Sequence, residues 1–128
     1  AVEEGLRFDP PVGTVPRMAI RDFEVGGVAI PAGRIIGVSI LAALRDGDVY
    51  PDPDRFDITR GSLPRWNIAF GHGAHRCLGE ALARAEMEEA ISAIVRLAPA
   101  TRMIGKPPTI IGHVAIRHID EMIVEFRA

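Results

Sequence analysis

Apolar and polar positions alternate with different periods along this chain, and the period changes mark its elements. Over 78–98 the period is helical. Leu78, Leu82 and Ala85 fall on one stripe, and Met87, Ala90, Ile91, Ile94 and Ala98 on another, before Pro99 stops the run. Glu80 precedes Arg84 by four residues, the favourable order for an exposed ion pair. A first, shorter helix is predicted for the opening residues and must end before Pro10-Pro11. The segment 13–28 reads as a twisted hairpin through Val15, Met18, Ile20, Phe23 and Val25, with Gly26-Gly27 at its turn. A short strand and turn follow over 28–33, and 35–45 begins as strand and continues as a short helix. The segment 46–64, rich in Asp, Pro and Gly, predicts an ordered irregular loop. Beyond the long helix, β-rich runs stand at 109–111, 113–116 and 122–126. With no internal repeat or flexible linker, residues 1–128 form a single α+β unit.

Composition narrows the class. A chain of 128 residues suffices for one domain, and 48% hydrophobic with 25% charged residues is globular. A formal net charge of −2 gives no electrostatic reason to expect nucleic acid or a membrane surface. No apolar run approaches the roughly 18 residues of a spanning helix. A single cysteine excludes an internal disulfide framework, so a reducing, cytoplasmic setting is expected. The opening Ala1-Val2-Glu3-Glu4 has no helix cap before it and reads as a truncation inside an element, a frayed natural terminus being the alternative.

Chemistry concentrates in Phe70-Gly71-His72-Gly73-Ala74-His75-Arg76-Cys77-Leu78-Gly79. This run lifts the one cysteine between a glycine-bearing loop and a helix start, where the helix dipole and backbone N–H groups favour an anionic sulfur. A single thiolate on an open site points first to haem iron. Zinc through His72, His75 and Cys77 is the rival reading, weakened by the absence of a second ligand pair. Nucleophilic catalysis by Cys77 is weaker again, because no Asn or Asp stands out to orient a histidine partner.

The same run resembles the haem-binding signature of the cytochrome P-450 family, soluble bacterial type. The resemblance implies that Cys77 is the proximal iron ligand, that Phe70 shields the sulfur, that Gly71 and Gly73 turn the loop, and that Gly79 lets backbone approach the porphyrin. Amide groups at Leu78, Gly79 and Glu80 would point at the sulfur. It implies haem b (iron protoporphyrin IX) as cofactor. Arg17 and His75 fall where such proteins carry propionate-binding residues. Glu4 and Arg7 resemble the family's Glu-x-x-Arg pair, and Asp52-Pro53-Asp54-Arg55-Phe56 its later loop. The resemblance therefore groups Glu4, Arg7 and Arg55 as a structural cluster beneath the haem, a surface position being the alternative for Arg55. Arg60, Arg65 and Arg76 could form a basic surface for an acidic electron donor, a ferredoxin or flavoprotein by resemblance, although a solvated loop face explains them nearly as well. Val12 to Val15 and Ala115-Ile116 match segments lining the family's distal pocket.

The resemblance also marks departures. Leu44 replaces a usual asparagine, His118 a usual glycine and Ile123 a usual proline, which puts the tightness of the last hairpin in question. The matched part is the family's C-terminal portion: first helix, β-hairpin, irregular meander loop, cysteine-ligand loop, long helix and C-terminal strands. The central oxygen-activating helix and its acid–alcohol pair are not represented, so no catalytic residue is identifiable. The implied activity is a monooxygenase acting on a small organic substrate that the sequence does not specify. Alternatives are a stand-alone haem-binding, electron-transfer or peroxidase-like module, and a haem-free structural remnant. Apolar surface left unpaired would favour self-association.

Overall fold

A computed structural model describes residues 1–61, 67–97, 100–112 and 116–126. Helix α1 (Val2–Phe8) carries Glu3 and Glu4 in its first turn and Arg7 in its last, the order that complements the helix dipole. Two prolines follow Asp9 and end it, as the sequence predicts.

The segment predicted as a hairpin over 13–28 is one arm of a longer one. Strand β1 (Thr14–Met18) pairs with β4 (Ile35–Ser39), and β2 (Phe23–Val25) pairs with β3 (Val28–Ile30), both antiparallel. Every pair in both ladders is equidistant from the Gly26-Gly27 turn, so a single register runs through the whole excursion. Both turn glycines have positive φ, 56° and 78°, as a tight hairpin turn of right-handed twist demands. Between the ladders the Ala19 N–H donates to the Arg34 carbonyl and Gly33 N–H to that of Ala19. The Asp22 carboxylate accepts the Ala32 N–H at 2.7 Å.

Strand β4 runs directly into a one-turn helix, α2 (Ile40–Ala43), whose start is capped by the Ser39 hydroxyl accepting the Ala42 N–H at 3.1 Å. The following loop is irregular but held by its own hydrogen bonds. Asp46 accepts the Asp48 N–H, and Asp57 accepts both the amide and the hydroxyl of Thr59. Two 3₁₀ turns, Ile68–Phe70 and Gly73–His75, shape the cysteine loop. Helix α3 (Glu80–Leu97) starts two residues later than its apolar stripe predicts, leaving Leu78 and Gly79 in a turn.

The C-terminal part holds four short strands in two ladders. β5 (Arg102–Ile104) pairs with β8 (Ile123–Glu125), and β6 (Ile110–Gly112) with β7 (Arg117–Ile119). The pattern anticipates β6 and β8 but not β5 and β7. The run at 113–116 falls mostly on 113–115, outside the described residues. His118 and Ile123 both take ladder positions, opposite Ile111 and Ile104, so the two departures do not disrupt the pairing. Gly112, at φ 105°, has no alternative, because a Cβ there would lie 2.4 Å from the Ile116 carbonyl oxygen.

The buried core is small. Ile40, Leu44 and Tyr50 form its centre, with Val15, Ile68 and Ala69 packed on it. By contrast Leu82, Ile91, Ile94 and Val95 of α3 stay exposed. At Leu44, where the resemblance expects asparagine, the backbone carbonyl accepts from Arg7 at 3.0 Å and the side chain fills the core. Since Leu44 is fully buried, Leu44→Ala should destabilise the chain by about 2–5 kcal/mol. Chemical denaturation measures this, and an unchanged midpoint would show that the cluster is not the core.

Candidate functional site

The site rests on a buried ion pair. Arg7 has no exposed surface and Glu4 is 3% exposed. The guanidinium donates Nε to Glu4 Oε2 at 2.8 Å and Nη2 to Oε1 at 2.9 Å, a two-pronged match that only arginine can make. Its remaining donors reach the carbonyls of Leu44, Pro53 and Arg55. Helix α1 is thereby tied both to the end of α2 and to the irregular loop. Arg7 also lies over the Tyr50 ring, 5.6 Å from its centroid. The hydrogen bond from Arg7, aided by the Asp57 amide and Arg60 and opposed by burial, holds the Glu4 carboxyl at a pKa of about 2.

The third member of this cluster, and its second cation, is Arg60 rather than Arg55. Arg60 Nε lies 3.3 Å from Glu4 Oε1, and its side chain is 12% exposed. Its guanidinium also donates to the carbonyls of Pro51, Asp52 and Arg55. The Arg55 side chain is 69% exposed and pairs loosely with Asp57, contributing only its carbonyl to the cluster. The loop turns so that the arginine five residues further on faces inward. The short Asp57 turn, bonded to Thr59 and to Glu4 through its own amide, sets that direction.

Above this base lies the cysteine loop. Asn67, buried, accepts the Ala69 N–H at 2.9 Å and reaches the Glu3 carbonyl of α1 at 3.4 Å. It starts the 3₁₀ turn that ends on Phe70. Gly71 (φ 76°, ψ −172°) and Gly73 (φ 81°) then take conformations that side chains resist. The loop closes where the Cys77 N–H donates to the Phe70 carbonyl at 2.9 Å. Cys77 is exposed and its sulfur is free. Gly79 sits at the helix entry, its carbonyl accepting the Ala83 N–H, and a Cβ there would lie 3.9 Å from Cys77 Sγ. Leu78 projects fully into solvent.

A cavity of about 330 Å³ opens beside the sulfur. Leu6, Val12, Val15, Ile40 and Phe70 give it apolar walls, while Arg17, His72, His75 and Cys77 bring polar atoms to it. Arg17 is exposed and donates to its neighbour's carbonyl, so its guanidinium keeps further donors for an anion. The structure thus brings together Arg17, Phe70, Gly71, His75 and Cys77 around one space. Among the described residues no three His, Cys, Asp or Glu side chains could hold a metal ion together, which removes support from zinc through His72, His75 and Cys77.

Of the three arginines from which a basic surface is expected, two are engaged by carboxylates. Arg60 belongs to the Glu4 cluster, and Arg76 pairs with Glu80 at 2.6 Å. Arg65 lies outside the described residues, as does Ala115 of the segment matched to the distal pocket; Ile116 is exposed. The Glu80–Arg84 pair forms at 3.1 Å, half-buried rather than exposed. Sequence reasoning overlooked Asn67, whose signal was a capping residue just before the Ile-Ala-Phe turn, and Leu6 and Ile40 as cavity walls.

The cytochrome P450 family model matches residues 1–97. A plant-inducible cytochrome P450, pinF1, of Rhizobium radiobacter is 44% identical over 98% of this chain and 29% of its own length. Luteothin monooxygenase of Streptomyces thioluteus is 49% identical, over 92% of this chain and 27% of its own. The crystal structure of P450BioI in complex with a hexadecenoic-acid-ligated acyl carrier protein superposes with a TM-score of 0.91 at 35% identity, covering 98% of this chain and 32% of that one. The chain therefore belongs to the cytochrome P450 family, in its bacterial form, and adopts part of that fold. It spans under a third of the length of these relatives. The family implies haem, and the sulfur beside an apolar cavity with Arg17 and His75 near it fits such a group.

Two arginines separate the cluster's anatomy. Arg60→Gln should cost about 1–3 kcal/mol by leaving part of a buried carboxylate unpaired, whereas exposed Arg55→Gln should stay within about 0.5 kcal/mol. Glu4→Gln, which strands a buried arginine, should cost about 3–5 kcal/mol. Because the folded-state Glu4 pKa is depressed from 4.5 to about 2, its contribution is complete above pH 4.5 and fades as pH falls toward 2. Urea unfolding across that window should show the Glu4→Gln curve flatter than the parent. Equal slopes would remove Glu4 as an acid-sensitive support.

Proposed function

We propose that this chain supplies the cysteine side of a haem-thiolate site in a monooxygenase, with haem b as the group bound. The exposed Cys77 sulfur opening on an apolar cavity, held by a loop whose glycines have positive φ, carries this reading. Bound haem would supply one-electron and oxygen chemistry, and a Cys thiolate ligand favours O–O cleavage.

The protein's part is binding, orientation and exclusion of water. Cys77 would hold the iron through Sγ, its own amide being already engaged by Phe70. The Phe70 ring would screen the sulfur. Arg17 and His75 would hold the propionates, and Val12, Val15 and Ile40 would meet the porphyrin's apolar edge. The amides of Leu78 and Gly79 lie at the entry to α3, where N–H groups aimed at a thiolate would moderate its electron donation, while the Glu80 N–H donates to the Cys77 carbonyl at 3.4 Å. The substrate is a small organic molecule, and a ferredoxin or flavoprotein would deliver electrons, both by family. That luteothin monooxygenase is a relative supports the oxygen-inserting reading. Among the described residues no helix is long and apolar enough to cross a membrane. A reducing cytoplasm would keep Cys77 a free thiol.

Self-association belongs to the same proposal. A groove of about 630 Å³ between α1 and α3, lined by Leu6, Phe56, Met87 and Ile91, adjoins the exposed Ile94 and Val95. Surface of this kind drives association.

Titration of the chain with haemin, followed by reduction and carbon monoxide, tests the reading. The parent should give the red-shifted Soret band of thiolate ligation and Cys77→Ala should lose it. Arg17→Gln should weaken haemin binding about two- to fivefold, the worth of a partly exposed charged contact. Light scattering on the same sample should give a mass above one chain. No haemin uptake would leave a haem-free role, and a band surviving in Cys77→Ala would exclude Cys77 as ligand.

A further inference from the structure

The cysteine loop is fastened by a charge network that the haem reading does not require. Arg76, the residue before Cys77, folds back across the loop. Its Nη1 donates to the Gly71 carbonyl at 2.9 Å and its Nη2 to Glu80 Oε1 at 2.6 Å. Gly71 opens the loop and Glu80 is the first residue of α3, so one guanidinium joins the loop's entry to the helix that follows its exit. The same Glu80 oxygen also accepts from Arg84, at 3.3 Å from Nε and 3.1 Å from Nη2. Arg84 in turn pairs with Glu3 of α1 and lies over the Phe70 ring, 5.1 Å from its centroid. Side chains of Arg76, Glu80 and Arg84 are each about one-fifth exposed, where charge pairs keep more of their strength than at an open surface.

We infer that Arg76, Glu80 and Arg84 are positioning residues: a clamp, centred on the Glu80 carboxylate, that fixes the loop bearing Cys77 before any iron is bound. Each end of the loop is gripped. Phe70 is held by the Cys77 amide and by the guanidinium above its ring, and Gly71 by Arg76. Glu80 is the anion that the two cations share, and Glu3 pairs with the outer one. Removing its charge would take from Arg76 and Arg84 the carboxylate they share and loosen the hold on Gly71. The clamp adds to the fixed backbone of Gly71 and Gly73, and it limits where Sγ sits relative to the cavity. Its consequence for ligation rests on the haem reading above, but its existence does not.

Native-state amide exchange of the full 128-residue chain without haem tests the clamp directly. The reporter is the Cys77 amide, bonded to Phe70, and the control is the Ala19 amide in the long hairpin, bonded to Arg34. Glu80→Ala keeps a strong helix former at this position. It should speed Cys77 exchange on the order of tenfold, as loss of a charge-assisted hydrogen bond would, with Ala19 unchanged. Glu80→Gln should fall between, and Arg76→Gln should match Glu80→Ala. The double variant Arg76→Gln/Glu80→Ala should add little, because both single changes break one device. Unaltered Cys77 exchange, additive effects, or equal acceleration at Ala19 would overturn the clamp. In the haemin-loaded chain, Glu80→Ala should lower the fraction of carbon monoxide complex with the red-shifted band, and Glu80→Gln should restore part of it. An undiminished fraction would overturn the positioning role. Failure of the parent to take up haemin, with the exchange pattern intact, would reject the haem reading and leave the clamp standing.

Discussion

The base on which the cysteine loop rests depends on a buried arginine having enough acceptors. Arg7 is removed from water, and an unpaired guanidinium there would be untenable. Its donors are distributed among Glu4 and the carbonyls of Leu44, Pro53 and Arg55. Those acceptors come from three separate stretches of chain, none of which forms an extended sheet or helix with the others. A charged group that must be satisfied thus does what a large core would do in a bigger domain. It fixes the irregular loop against α1, and through Asn67 on the Glu3 carbonyl it also fixes the approach to the cysteine loop.

Beside these hydrogen bonds the described apolar core is slight. Ile40, Leu44 and Tyr50 anchor it, yet α3 leaves Leu82, Ile91, Ile94 and Val95 in the open. A helix with two apolar stripes is built to be covered on more than one side. Among the described residues the strands leave these side chains exposed, and the relatives are more than three times as long.

Local signals made much of this legible in advance. The proline pair marked the end of α1, Gly26-Gly27 the hairpin tip, and the cysteine run the site. What escaped were relations between distant segments. The hairpin's second arm was read as a separate strand, because alternation identifies a strand but not its partner. Arg55 was assigned to the Glu4 cluster through its motif, and Arg60 occupies that place because the Asp57–Thr59 turn redirects the chain. Arg76 looked like a surface cation, since sequence alone does not disclose that a guanidinium folds back onto Gly71 and Glu80. Strands β5 and β7 do not stand out because each opens on an arginine and holds one β-branched residue, where β6 has Ile110 and Ile111 and β8 has Ile123 and Val124.

The central claim is that the Cys77 sulfur is an iron ligand. Iron K-edge X-ray absorption of the haemin-loaded chain measures it without reliance on activity. One sulfur scatterer is expected in the iron's coordination shell, besides the porphyrin nitrogens, and it should be lost in Cys77→Ala. A shell of nitrogen and oxygen alone in the parent chain would contradict it.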